Sequence, residues 1–81
     1  MIDDRVVKLD SLFKDKSREE IEELILGFIR DRGGIVETTR MMREGDITAR
    51  MAWKLTAGGK LELEHNGDEN KWMYRLKQKE T

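Results

Sequence analysis

The chain has no cysteine and no proline among its 81 residues, and only one histidine. Without cysteine there is no disulfide framework and no thiolate-bound metal. Without proline, the turns fall to Gly, Asn and Asp. No apolar run approaches the roughly 18 residues of a membrane-crossing helix. The opening Met1-Ile2-Asp3-Asp4-Arg5 does not have the basic segment and apolar stretch of a secretory leader. One domain in the cytoplasm is the expectation, since the length is too small for two. A phosphate-gripping loop is missing as well, because Gly33-Gly34 and Gly58-Gly59 lack its spacing and its lysine. His65 lies beside a turn and is expected to be solvated. Its neighbours Glu62 and Glu64 do not complete a metal site, since adjacent strand residues point to opposite faces. Neither an enzyme nor a cofactor is expected.

Charge is plentiful and unevenly spread. The net charge is −1, yet residues 1–29 carry −3, residues 30–60 carry +3, residues 61–70 carry −4 and residues 71–81 carry +3. Partners are met through local patches, so the basic middle counts for more than the total.

Hydrophobic spacing locates the helices. Ser17-Arg18-Glu19-Glu20 fits a capping box, and Ile21, Leu24, Ile25, Phe28 and Ile29 follow at the spacing of one amphipathic face. Acidic residues in the first turn, with Arg30 and Arg32 in the last, suit the helix dipole. Gly33-Gly34 ends this helix, expected over about 18–32, because glycine accepts the left-handed conformation beyond it. Ile35-Val36 is a β-branched pair long enough for one tiny strand. Thr38 or Thr39 then caps a second helix containing Met41 and Met42 and ending at Gly45. Asp46 or Thr48 caps a third helix, about 47–57, closed by Gly58-Gly59. On it Thr48, Met51, Ala52 and Leu55 share one face, and Arg50, Trp53, Lys54 and Ala57 point the other way. The five methionines are read as core filling.

The C-terminal part reads as a β-hairpin. Leu61-Glu62-Leu63-Glu64 and Trp72-Met73-Tyr74-Arg75-Leu76 alternate with period two, around an exposed turn at His65–Asn70. Trp72, Tyr74 and Leu76 share a face, and Trp72 and Tyr74 are expected to point into the core. The expected core joins Ile21, Leu24, Ile25, Phe28, Leu55, Leu63 and Leu76. In the N-terminal segment, residues 1–16, Val6, Leu9 and Phe13 suit a short helix starting after Asp3 or Asp4. That segment either packs on the domain or mediates self-association. Residues 78–81 are a tail.

This order of helix, short extended pair, helix, tight turn, helix and hairpin resembles the winged helix-turn-helix family over residues 17–77. Three passages carry the resemblance. Gly33-Gly34-Ile35-Val36-Glu37-Thr38-Thr39 looks like the link from first to second helix, and Glu44-Gly45-Asp46-Ile47-Thr48 occupies the turn before the recognition helix. Leu55-Thr56-Ala57-Gly58-Gly59-Lys60-Leu61 is similar to the family's passage from recognition helix into wing. The resemblance implies an α+β, mainly helical fold: a three-helix core with a C-terminal hairpin wing. It also implies a double-stranded DNA-binding protein, either a transcriptional regulator or a DNA-transaction accessory factor, with the third helix in the major groove.

The residues are of the right types for that role. Arginine can bond a guanine edge with two hydrogen bonds and lysine neutralises phosphate, so Arg50 and Lys54 are the candidates for the groove, with Thr48 near the helix start. Arg40 and Arg43 are placed to meet phosphate, and Lys60, Lys71 and Arg75 flank the wing. Trp53 either faces outward as an interface residue or packs sideways on the first helix or hairpin. The tip Asn66-Gly67-Asp68-Glu69-Asn70 repels phosphate, which favours a second reading: a winged-helix module for protein–protein contact. A homodimer or protein partner would then form through the N-terminal segment, Trp53 or the acidic hairpin.

Overall fold

A computed structural model describes residues 8–77. They form an α+β domain of three helices and a three-stranded antiparallel sheet. A 3-10 turn at Leu9–Leu12 comes first. Helix α1 (Arg18–Asp31), strand β1 (Ile35–Glu37), helices α2 (Thr38–Arg43) and α3 (Asp46–Ala57), and strands β2 (Leu61–Asn66) and β3 (Lys71–Leu76) follow. No helix among the described residues is long and apolar enough to cross a membrane. Residues 1–7, including Val6 and the expected helix start after Asp3 or Asp4, and residues 78–81 lie outside the described part.

The ends of α1 follow from its own residues. Glu20 N–H donates to Ser17 Oγ at 3.1 Å while Ser17 N–H donates to Glu20 Oε1 at 2.8 Å, which completes the capping box. At the other end Gly33 N–H donates to Arg30 O and Gly34 N–H to Ile29 O, a Schellman closure with both glycines at φ 89°. The end of α3 repeats the pattern: Gly59 N–H donates to Thr56 O and Lys60 N–H to Leu55 O. In both places the left-handed residue is glycine, which has no Cβ to strain.

The starts of α2 and α3 differ from the sequence expectation. Neither Thr38 nor Thr39 caps α2. Glu37 is its N-cap residue, Thr38 is already helical, and the Thr39 hydroxyl donates to Glu37 Oε1 at 3.1 Å. Neither Asp46 nor Thr48 caps α3. Gly45 precedes it at φ 131°, and the capping carboxylate comes from Asp10, 37 and 38 residues earlier than the groups it caps. Asp10 Oδ2 accepts from Ile47 N–H at 3.0 Å. Oδ1 accepts from Thr48 N–H at 2.8 Å and from the Thr48 hydroxyl at 2.7 Å. Leu9 N–H donates to Glu44 Oε1 and Asp10 N–H to Glu44 O, so the 3-10 turn is bound to the α2–α3 turn on both sides. Leu9 and Phe13 are buried in the core. Of the two fates weighed for the N-terminal segment, residues 8–16 take the first: they pack on the domain.

The sheet has the order β1-β3-β2, so the short β1 pairs with the far strand of the hairpin. Across β2 and β3 the register sets Leu61 opposite Leu76, Leu63 opposite Tyr74 and His65 opposite Trp72. These six side chains share one face, and burial falls along it. Leu61 is 2% exposed, Leu63 is 37% exposed and Trp72 is 51% exposed. The core therefore takes Leu61 and Tyr74 but neither Leu63 nor Trp72, contrary to expectation. Near the tip no described residue covers this face of the hairpin. Trp72 instead rests on the His65 ring, with centroids 4.7 Å apart. The turn is also shorter than expected, because His65 and Asn66 belong to β2.

Ile25, Ile29 and Met41 are fully enclosed at the centre, joined by Val36, Met51, Ala52 and Leu55. Ile21, Leu24, Phe28 and Leu76 are partly buried against them. Met42 is exposed and fills no core, a further departure from the expectation for the methionines.

Candidate nucleic-acid interface

Helix α3 divides into two faces as its spacing requires. Thr48, Met51, Ala52 and Leu55 are buried, and Arg50, Trp53, Lys54 and Ala57 are exposed. Thr48 therefore leaves the list of groove candidates. It is 0% exposed, and its hydroxyl already donates to Asp10. A side chain so enclosed reaches a base only if the helix start comes apart.

Trp53 is 59% exposed, which decides between its two placements in favour of the outward one. One helical stripe carries Asp46, Arg50, Trp53 and Ala57, with Lys54 on its flank. Ile47 adds an exposed apolar side chain near the helix start. Among the described residues no carboxylate pairs with Arg50 or Lys54, so both cations stand ready for an external anion. Asp46 is the one acidic side chain on that stripe.

The other candidate cations, Arg43 apart, are more occupied. Arg40 is half-buried and its Nε donates to Glu44 Oε2 at 2.9 Å. Arg43 is exposed, with no carboxylate partner among the described residues. Lys60 Nζ lies 3.5 Å from Glu22, Lys71 Nζ lies 2.9 Å from Glu37 and 3.6 Å from Glu69, and Arg75 Nε lies 2.9 Å from Glu64. The hairpin cations thus neutralise carboxylates of their own surroundings and add little net positive charge to the wing. Exposed pairs of this kind contribute little to stability, because water and salt screen them. Hydrogen bonds from Lys71 and Thr39 hold the Glu37 carboxyl below its ordinary pKa, and the same contact raises Lys71.

Asp10 positions this face without belonging to it. Burial pushes its pKa up, but the Thr48 hydroxyl, the Ile47 and Thr48 N–H groups and the charge of Lys8 outweigh that and hold it below the ordinary value. An aspartate 36 residues upstream of the first residue of a helix gives no local capping pattern, so spacing alone does not reveal it. Arg32 was noted only for the helix dipole, yet its guanidinium lies 3.7 Å from the Phe28 ring centroid and its Nη1 donates to Phe28 O at 3.2 Å. Among the described residues no group of three or more His, Cys, Asp or Glu side chains could hold a metal ion. Compared with family models, curated proteins and solved structures, the chain matches none.

Proposed function

We propose that the chain is a winged helix-turn-helix protein that binds double-stranded DNA, as a transcriptional regulator or DNA-transaction accessory factor, with α3 in the major groove. The element order and the β1-β3-β2 sheet are compatible with that layout. The observation that carries the reading is the outer face of α3: Arg50 and Lys54, one turn apart, are exposed and have no carboxylate partner among the described residues. Arg43 adds a cation on the preceding helix. The wing takes little part in this reading, because Asp68 and Glu69 crown its tip and its cations are already paired.

The test is binding of the full chain to a random-sequence duplex at two salt concentrations, followed by NMR to map the face. Amide shifts confined to α3 and the end of α2, with affinity falling as salt rises, support the reading. If the Arg50→Ala/Lys54→Ala variant is folded and binds duplex as tightly as the parent at low salt, α3 is not the reading element.

One observation favours a second reading, a protein-docking module. Trp53 and Ile47 are large apolar side chains exposed on the same helix. An exposed tryptophan beside arginine is the composition of an interface hot spot. Under this reading, a module that does not bind DNA, Trp53→Ala abolishes partner binding, and neither parent nor variant binds duplex.

A further inference from the structure

A shallow cavity of about 310 Å³ lies where the end of α1, strand β1 and helix α2 meet, and three arginines line it: Arg32, Arg40 and Arg43. Two of them are fixed in advance. Arg32 stands 3.7 Å from the Phe28 ring centroid and donates to Phe28 O, and the Arg40 guanidinium lies 5.4 Å from the same centroid. Cation–π contact holds a guanidinium without consuming its donors. Arg40 spends Nε on Glu44 Oε2, which leaves its two terminal amines. Arg43 has no carboxylate partner among the described residues.

Against these three charges stand two carboxylates among the described residues: Glu44, paired with Arg40, and Glu37 in the wall, which is already held by Lys71 Nζ at 2.9 Å and the Thr39 hydroxyl at 3.1 Å. The wall thus has an excess of positive charge, with the forks of Arg32 and Arg40 held in place. Guanidinium forks match the oxygen spacing of phosphate and carboxylate, and a dianion balances the excess better than a monoanion. Ile35 and Met73 complete the lining with apolar surface, so the bound group need not be bare.

We propose that Arg32, Arg40 and Arg43 form a binding site for a phosphate dianion. The site does not depend on the role given to α3. The ligand class is a phosphate monoester, because the backbone of a duplex is a phosphodiester with a single negative charge on each phosphate.

The probe is methyl phosphate, which carries its second charge at neutral pH because such groups lose that proton near pH 6. It is titrated into the full chain at constant ionic strength, with acetate as the monovalent control, and followed by backbone amide shifts. The expected result is saturable shifts at residues 32–37 and 40–44 with methyl phosphate and none with acetate. Arg43→Gln, which removes no contact among the described residues, weakens binding by at least roughly tenfold. Arg43→Lys restores part of the loss, because it returns the charge without the fork. Arg50→Ala/Lys54→Ala binds methyl phosphate as the parent does. A duplex added to the loaded protein is the diester control: joint occupancy is expected, and displacement of methyl phosphate from the site overturns the dianion assignment. Non-saturating shifts, an equal response to acetate, or an Arg43→Gln variant with parental affinity overturns the proposal.

Discussion

At the scale of single residues, Asp10 concentrates the most consequence in one side chain. Its two oxygens take three hydrogen bonds at the start of α3. Removing the carboxylate deprives the helix of its cap and leaves the buried Thr48 hydroxyl without an acceptor. Loss of a cap costs about 0.5–2 kcal/mol, and an unsatisfied buried hydroxyl costs about 1–3 kcal/mol. Asp10→Ala is therefore expected to cost about 1.5–5 kcal/mol and to lower the thermal midpoint by at least roughly 6 °C, at about 4–8 °C per kcal/mol for a domain of this size. The pH dependence has a definite sign. The Asp10 carboxyl titrates lower when folded than when unfolded, so its stabilisation is fully present above the unfolded value and is lost as pH falls through the folded one. Denaturant midpoints measured from neutral into acid should fall for the parent, and less steeply for Asp10→Asn. A second residue reports the same site. Gly45 sits at φ 131°, and a Cβ there would collide with the Asp10 side chain. Gly45→Ala is strained in its backbone and also pushes Asp10 off α3, so it should destabilise at least as much as Asp10→Ala in the same melt.

At the scale of elements, the hairpin separates pattern from burial. Leu61 and Leu63 have the same chemistry, strand and face, yet only Leu61 lies under the helices. Leu61→Ala is expected to cost about 2–5 kcal/mol, as for an enclosed leucine. Leu63→Ala and Trp72→Ala should cost much less, with Trp72 losing mainly its contact with His65. Chemical denaturation of the three variants checks this ranking, and a Trp72→Ala as damaging as Leu61→Ala would show that the hairpin tip is covered. Helices α1 and α3 differ in a related way. The first is capped by its own Ser17 and Glu20, the third by a distant aspartate. Loss of the 3-10 turn should therefore loosen α3 before α1, visible as faster amide exchange at residues 47–49.

At the scale of the whole molecule, a net charge of −1 coexists with cationic surfaces because the negative charge is concentrated elsewhere. Under the DNA reading, affinity depends on few phosphate contacts. The slope of log affinity against log salt is about −0.9 per phosphate neutralised, so an interface with Arg43 and Lys54 on phosphate and Arg50 on a base edge gives a shallow slope of about −2. Lys54→Ala should flatten it by about one and weaken all sequences alike, while Arg50→Ala should cost roughly 1–3 kcal/mol of base discrimination. Asp68→Asn/Glu69→Asn should raise duplex affinity modestly or leave it unchanged. Fluorescence anisotropy with two duplex sequences over a salt series reads all three effects.

Features that depend on neighbours in the chain were determined by the sequence itself. The capping box at Ser17, the glycine closures of α1 and α3, the two faces of α3 and the alternation of the hairpin each arise from residues within a few positions of one another, where hydrogen bonds and side-chain periodicity are fixed by local geometry. The tertiary structure alone decided what depends on distance. It brought Asp10 to Thr48, which turned a candidate groove residue into a buried anchor. It set β1 beside β3, and it placed Arg32 with Arg40 and Arg43 around one cavity. Periodicity names the face of an element but not how far the neighbouring element extends over it. For that reason Leu61 was enclosed, Leu63 and Trp72 were left at the surface, and Trp53 was turned outward.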